Sequence, residues 1–521
     1  MKKIYIALIA LGGLFSTAFI SSCDMNKYPQ NEIVPIISTF NDVEGLRTMH
    51  YYYMKGIYVG ESMLYGDYAV DYFQPCADYG NFYSTFVRWE MEPGTGSAED
   101  YWYAFYSYIN EVNFLITGID KLDMTLFSDN QKKLVDLYYG EAHFFRAQYY
   151  FNLALRFCQK YNASTASNEH TGLMLLTEPF NLSTNMIPRS TLKEIYDLIV
   201  ADLQVASEKV TTAGISGSAY LTSDIVKVLK ARVALEMGDY ATAYTEAVAV
   251  IGSGKYTLTN DREAFKGMWA MDNNVDGTTA AWDEVVYTKT QNELLMVLEV
   301  ANTNESTGTP GRYFMSYTET SGLRPQFFPS QNVIDAFDVD NDIRFPAYFD
   351  LKSFKFASTD ADNIYFFTKY PGNPKLQVKE DKFSLYKHKG KPFRFAEMYL
   401  IAAEAYCLAG NEADANRYLN DIRTARIENW VATNYSGDNL LLEIQKEKYR
   451  EFIGEGHRFF DLKRWGLGFS RGQVQSTILV NGNPDLTSIT IQPNNHRFIW
   501  PIPKAELDQN SALQGQQNPG Y

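Results

Sequence analysis

The segment ARVALEMGDYATA, residues 231–243, has a counterpart far downstream in AEAYCLAGNEADA, residues 403–415. Both place a Gly seven residues after an Ala, follow it with Asp or Asn, and return to Ala five residues after the Gly. Small residues at those positions let two helices approach closely, and Gly-Asp or Gly-Asn makes the turn between them. Read by mechanism, this is the tetratricopeptide pattern of stacked helical hairpins. It predicts positive φ at Gly238 and Gly410, a conformation that glycine adopts without steric cost.

The neighbouring sequence extends this reading. LVDLYYGEAHFFRAQYYFNLALRF (134–157) is apolar almost all round, which marks a long helix buried between others. PRSTLKEIYDLIVADLQVASEKV (188–210) offers Ser190 or Thr191 as a cap with Glu194 behind it, then sets Ile195, Leu198, Ile199 and Leu203 on one face. In YWYAFYSYINEVNFLI (101–116), Trp102, Phe105, Tyr106, Ile109, Val112 and Ile116 form one helical stripe facing a core. Residues 271–390 change texture, with Gly, Asn, Asp and aromatic residues and little helical period. ELLMVLEV (293–300) and IYFFTKY (364–370) read there as short strands. The expected fold class is mainly α: a tetratricopeptide-like helical scaffold with an inserted loop and short-strand region. Such insertions are where rigid folds usually carry function.

Composition sets limits on function. The 521 residues are 45% hydrophobic and 21% charged, the balance of a globular protein. A formal charge of −15 argues against nucleic acid, because phosphate binding needs a supply of Lys and Arg. The N-terminus reads as a signal peptide, MKK followed by the apolar IYIALIALGGLFSTAFI and then SSC. Cys23 stands where a bacterial lipoprotein signal is cut, and its thiol is the group able to carry diacylglycerol. No other stretch is long and apolar enough to span a bilayer. The chain reads as exported and tethered. Cys76, Cys158 and Cys407 have neither disulfide-framework nor zinc spacing and read as buried apolar residues.

Five segments, in order, carry a resemblance: YYGEAHFFRAQYYFNLALRF (138–157), LTSDIVKVLKARVALEMGDY (221–240), FRFAEMYLIAAEAYCLAGN (393–411), REFIGEGHRFFDLKRWG (450–466) and WPIPKAELDQNSALQGQQNPGY (500–521). Together they resemble the SusD/RagB family of nutrient-binding outer-membrane lipoproteins, over most of the mature chain. The resemblance implies a helical tetratricopeptide-like scaffold, display at the cell surface, and partnership with a SusC-like TonB-dependent β-barrel transporter. Asp24 follows the lipidated Cys, so the outer-membrane assignment rests on the resemblance and not on that residue. The expected organisation is a signal peptide at 1–22 and a lipidated linker at 23–40. A helical part at 41–270, a loop-rich ligand region at 271–390 and a helical part at 391–521 follow as a single unit, 41–521.

The sequence motifs of enzymes are weak here. The six His fall in no HExxH or comparable ligand spacing, and no nucleophile elbow is present. FDVDNDIRF (337–345) lacks the Gly and closing Glu of an EF-hand and reads as a charged turn, with Arg344 pairing a neighbouring carboxylate. In EKYREFIGEGHRFFDLKRWG (447–466), Arg450, Glu451, Glu455, Arg458, Asp461 and Arg464 alternate in sign as an ion-pair network would. No metal, cofactor or catalytic residue is expected.

Binding residues are expected in DYFQPCADYGNFYSTFVRWE (71–90), which packs seven aromatic side chains into twenty residues. Phe82, Phe86 and Trp89 fit one inward helix face, which leaves Tyr72, Tyr79 and Tyr83 to face elsewhere. An aromatic ring stacks on the C–H face of a pyranose, and flanking Asp or Asn bonds its hydroxyls. The candidates from this stretch are Asp71, Tyr72, Tyr79, Asn81, Tyr83 and Trp89. Ligand contacts in the family also come from central loops, which adds Trp269, Trp282, Arg312, Tyr313 and Tyr317. The expected function is capture of an oligosaccharide and its delivery to the transporter. A RagB-like peptide ligand and a surface glycosidase are the alternatives.

Overall fold

The computed structural model describes residues 37–76, 81–180, 186–270, 291–300, 325–356, 359–370, 387–480 and 488–521, with positions 311, 314, 317–318 and 322–323. The scaffold helices are α1 (Phe40–Val59), α2 (Gly96–Asp120), α3 (Asp129–Phe157), α4 (Leu192–Lys209) and α5 (Ser223–Met237), then α6 (Tyr240–Ile251), α7 (Phe395–Leu408), α8 (Glu412–Arg426), α9 (Asp438–Glu451) and α10 (Arg458–Trp465). The fold is mainly α, with tetratricopeptide-like helical pairs.

Local chemistry explains these helices. In α4, Thr191 and not Ser190 is the cap: its hydroxyl accepts the Glu194 N–H at 3.1 Å while the Glu194 carboxylate accepts the Thr191 N–H at 2.8 Å. The predicted stripe of α2 is buried at all six positions. From Tyr138 to Phe157, α3 is buried on nearly every face, and two of its charged members, Glu141 and Arg146, are paired internally. Glu141 accepts from Arg47 at 2.5 and 3.0 Å, and Arg146 forks onto Asp202 at 2.8 and 2.7 Å.

The two repeat segments form the hairpins α5–α6 and α7–α8. Ala231, Ala243, Ala403 and Ala415 are completely buried at the helix contacts. Gly238 and Gly410 end the first helix of each pair at φ 75° and 82°. Space is open around both: a Cβ at Gly238 would approach only Tyr240, at 3.9 Å, and at Gly410 it would meet nothing within 4 Å. Gly238→Val and Gly410→Val are therefore each expected to cost about 1–2 kcal/mol, from the left-handed backbone alone. Urea melts of the two variants check this, and an unchanged midpoint in both would contradict the pairing.

α6 packs directly against α7, with Tyr244 stacked on Tyr406 at 4.2 Å between ring centroids. The chain between Ile251 and Phe395 is thus an excursion from a continuous helical stack. Antiparallel pairing of β2 (Leu294–Leu298) with β5 (Gly390–Arg394) ties together its base. The predicted strand at 293–300 is β2, and the one at 364–370 is the end of the β3 (Phe349–Phe356) and β4 (Thr359–Phe367) hairpin. β1 (Phe73–Pro75) pairs antiparallel with Phe327–Pro329, so the aromatic N-terminal stretch is stitched to the insertion.

Candidate functional site

Asp71 and Tyr72 lead into β1, and both are committed to the scaffold. The Asp71 carboxylate accepts from Arg458 of α10 at 3.1 and 2.8 Å. The Tyr72 ring is 1% exposed and its hydroxyl donates to the Tyr449 carbonyl at 3.0 Å. Residues 77–80, which include Tyr79, lie outside the described residues, and from Asn81 the chain enters a short helix at Ser84–Val87.

Three residues here have left-handed backbone: Asn81 (φ 59°), Tyr83 (φ 54°) and Trp89 (φ 58°). Asn tolerates this conformation, but for Tyr and Trp it costs roughly 1–2 kcal/mol each. Packing holds them there. Tyr83 stacks on Tyr68 (5.3 Å, 7°), and Tyr68 stacks on Phe327 (4.3 Å, 15°), so a column of rings links the stretch to the insertion. The Trp89 indole is 4% exposed, donates to the Ala69 carbonyl at 2.7 Å, and meets Phe498 edge-on. Arg471, itself buried, donates to the carbonyls of Ala69 (2.9 Å) and Val87 (3.0 Å) and clamps both ends of the loop.

The outcome corrects the inward and outward assignment read from periodicity. Phe86 and Trp89 are buried as expected, but Phe82 is 38% exposed and Tyr72 is in the core. Phe82 precedes the helix, so the helical period does not govern it. Tyr72 adjoins a strand whose residues are all buried. At the surface the stretch presents Asn81 and Phe82, with Tyr83 half-buried beside them.

Trp269 is also a core residue, 1% exposed at the end of the helix Arg262–Ala270. The Lys369 ammonium lies 4.1 Å from its ring centroid and the Arg394 guanidinium 5.2 Å. Its carbonyl is 2.7 Å from His388 Nε2. The backbone of Tyr317 pairs with Leu323, while its side chain and all of Trp282, Arg312, Tyr313 and Cys23 lie outside the described residues.

The alternating charges at 447–466 form a buried ion-pair network. Glu451 accepts from Arg344, Arg394 and Arg426, and Glu455 accepts from Arg394 and Lys369. Arg344 also forks onto Asp342, the neighbouring carboxylate that the 337–345 turn supplies. Arg450 pairs with Glu447, while Asp461 takes Lys448 and Arg464. A general acid needs a carboxyl whose pKa is raised. Desolvation favours that for Glu451, but three guanidinium groups outweigh it and hold the carboxyl well below the ordinary range. The arrangement is suited to fastening helices rather than to proton transfer. Among the described residues, no group of three or more His, Cys, Asp and Glu is placed to hold a metal ion, and no helix is long and apolar enough to cross a membrane.

Comparison with known proteins yields two family matches. The SusD family model matches residues 355–521, and a model described as starch-binding, associating with the outer membrane, matches residues 42–221. SusD-like protein P38 of Formosa agariphila is 24% identical over 472 residues, covering 81% of this chain and 79% of its own length. A SusD superfamily crystal structure from Bacteroides thetaiotaomicron superposes with a TM-score of 0.72 at 24% identity, over 92% of this chain and 100% of that one. Surface glycan-binding protein A from Bacteroides fluxus gives a TM-score of 0.66 at 22% identity, over 93% and 100% of the two chains.

Proposed function

We propose that this chain, which belongs to the SusD/RagB family, captures oligosaccharide at the cell surface and delivers it to a TonB-dependent β-barrel transporter of the outer membrane. A lipid on Cys23 tethers it there. The mechanism is binding and release without a covalent step. Association with the outer membrane is in keeping with the family description of residues 42–221, and the Bacteroides fluxus neighbour is described as a surface glycan-binding protein.

The observation that carries the reading is the backbone of the 81–89 loop. Strained aromatic residues held by surrounding packing mark places where geometry serves something other than stability. Here Asn81 and Phe82 are exposed, and Tyr83, next in the chain, is half-buried. Amide and ring together are what a pyranose needs, hydrogen bonds for its hydroxyls and a flat apolar face for its C–H groups. Tyr79, Trp282, Arg312, Tyr313 and Tyr317 are the further ligand contacts of this proposal. Asp71, Tyr72 and Trp89 fasten this stretch to the scaffold, and Trp269 is a core residue of the insertion side.

A panel of oligosaccharides and peptides, read by calorimetry, tests the ligand class. Saturable binding of a glycan without release of products is the expected result. Binding of peptides alone would move the protein to the peptide-binding alternative, and cleavage of the glycan would make it an enzyme. With the best glycan, the double variant Tyr83→Ala, Trp282→Ala is expected to lose roughly ten- to a thousandfold in affinity, at about 1–2 kcal/mol for each stacked ring. The helical circular dichroism signal is expected to persist. Unchanged affinity in the folded variant would place the site elsewhere.

A further inference from the structure

A cleft of about 360 Å³ lies where the ends of α3 and α10 meet the 494–499 segment and the tail at Pro519. That is more than twice the roughly 150 Å³ that encloses benzene, and it falls within the roughly 300–1,000 Å³ of ligand pockets. Gln159, Lys160 and Asn494 on its rim are exposed, so one side is open to solvent. One sugar ring with an anionic substituent fits that space.

The chemistry of a helix end fixes the walls. The last carbonyls of α3 have no partner within the helix, and distant segments supply one to each of four consecutive residues. Lys463 Nζ donates to the carbonyls of Leu155 and Cys158, both at 2.6 Å. The Trp500 N–H donates to Arg156 at 2.7 Å, and Asn518 Nδ2 to Phe157 at 2.8 Å. Asn518 Nδ2 also donates to the Trp500 carbonyl at 2.8 Å, which holds the tail beside the 494–499 segment. The cleft is thereby preformed.

Two polar groups at its rim are uncommitted. Among the described residues, the Lys160 ammonium and the Asn494 side chain make no hydrogen bond or ion pair. Both converge on one point: a Cβ built on Gly466 would lie 2.8 Å from Lys160 Nζ and 3.0 Å from Asn494 Oδ1. Gly466 ends α10 at φ 67°, so the position a side chain would fill stays vacant. One ligand can therefore touch both groups.

Charge indicates which ligand. In a chain of formal charge −15, no Asp or Glu among the described residues lines this cleft. Lys463 in its wall is buried, and among the described residues it has carbonyl partners but no carboxylate. The C-termini of α3 and α10 each bring roughly half a negative charge, so the ammonium groups of Lys463 and Lys160 leave the cleft net positive. A cation calls for an anion, and an amide, both donor and acceptor, suits hydroxyls. Ile499 and Pro519 add apolar surface for C–H groups.

We propose that this cleft is a second binding site, for a sugar unit carrying one anionic group, with the anion on Lys160 and a hydroxyl on Asn494. The site goes beyond the surface reading and does not depend on it.

Ligand-observed NMR titrations of the mature chain with D-glucuronate, D-glucose 6-sulfate and D-glucose test the proposal, on the wild type and on Lys160→Gln and Asn494→Asp. At least one acidic sugar is expected to bind at least tenfold more tightly than glucose, and the tighter of the two identifies the anion as carboxylate or sulfate. Lys160→Gln is expected to weaken it at least tenfold. Asn494→Asp, which the left-handed backbone at φ 56° tolerates, is expected to abolish binding by setting a second anion against the first. Both side chains are exposed, so both variants are expected to keep the wild-type melting temperature. The Tyr83→Ala, Trp282→Ala variant is expected to bind the acidic sugar unchanged. The proposal is overturned by absence of binding, by equal affinity for glucose, by a folded cleft variant that retains the affinity, or by loss of binding in the Tyr83→Ala, Trp282→Ala variant. Should neither cleft variant fold, a wild-type crystal soaked in the tighter sugar decides: density against Lys160 supports the site, and an empty cleft refutes it. A protein that binds no oligosaccharide but still takes the acidic sugar would remove the surface reading alone.

Discussion

Replacing Glu451 with Gln is expected to destabilise the protein by about 3–5 kcal/mol, the range for removing one partner of a buried ion pair. The residue is completely buried, and its two oxygens accept from Arg394 (2.8 Å), Arg426 (3.0 Å twice) and Arg344 (3.0 Å). Gln preserves the shape while removing the charge, which leaves guanidinium groups from the insertion, the strand Gly390–Arg394 and α8 facing one another with less compensation. Urea unfolding at neutral pH measures the loss. Because the groups are buried, it is expected to change little between low and high salt. The pH dependence follows from the direction of the shift. The folded-state pKa lies well below the ordinary value, so this contribution is fully present above the unfolded pKa of about 4.3. It is lost only as pH falls toward the folded value. The variant is expected to lack that part of the acid limb, and a midpoint equal to the wild type at pH 7 would show that the network contributes little.

Asp67→Asn is expected to act in the opposite direction and stabilise the protein at neutral pH. Asp67 is completely buried; its Oδ2 accepts the Gly456 N–H at 2.9 Å, and among the described residues its Oδ1 has no partner. Desolvation pushes its pKa up to about 8, with the Gly456 bond and Lys369 only partly offsetting it. The folded state therefore keeps a proton that the unfolded chain releases above about pH 4. Its contribution is complete below that pH, and stability declines as pH rises from about 4 to 8, levelling off beyond. By the usual conversion the decline reaches on the order of 4 kcal/mol at pH 7. Asn keeps the acceptor for Gly456 and does not titrate. Urea melts at pH 5, 6, 7 and 8 are expected to show a difference between variant and wild type that grows with pH. A constant difference would mean that Asp67 is already ionised in the fold.

Much of this architecture can be read from the sequence because helices repeat. The Ala and Gly spacing at 231–243 and 403–415 located two hairpins that sit side by side in space, and the alternating charges at 447–466 announced an ion-pair network. Aromatic residues were harder to place, since composition does not distinguish a ring that faces a ligand from one that faces a neighbour. Trp269 is sealed by Lys369 and Arg394, which lie about a hundred residues downstream. Trp89 is held by Ala69 and Phe498. Neither environment has a local signature. Phe82 and Tyr72 exchange their expected positions because one precedes a helix and the other adjoins a strand, a difference the irregular spacing around Pro75 and Gly80 conceals. Arg471, the clamp on the candidate loop, was missed because the partners described for it are backbone carbonyls, which every sequence supplies.

The stitching of the Asp71–Pro75 segment to distant chain also determines when the proposed binding surface can exist. Ser330 reaches back 259 residues to the Asp71 carbonyl, and Arg458 reaches back 387 residues to its carboxylate. Loop-closure entropy rises only slowly with length, so these links cost the finished fold little, but contacts of such separation delay its formation. During synthesis or export from the N-terminus, the early helices have their neighbours at hand, whereas the Asn81–Trp89 loop waits for residues emerging hundreds of positions later. A chain interrupted before Arg458 lacks the clamp and the ion pair that fix the loop, so truncation is expected to yield helices without the proposed recognition surface. On that proposal, ligand competence is a late checkpoint on complete assembly.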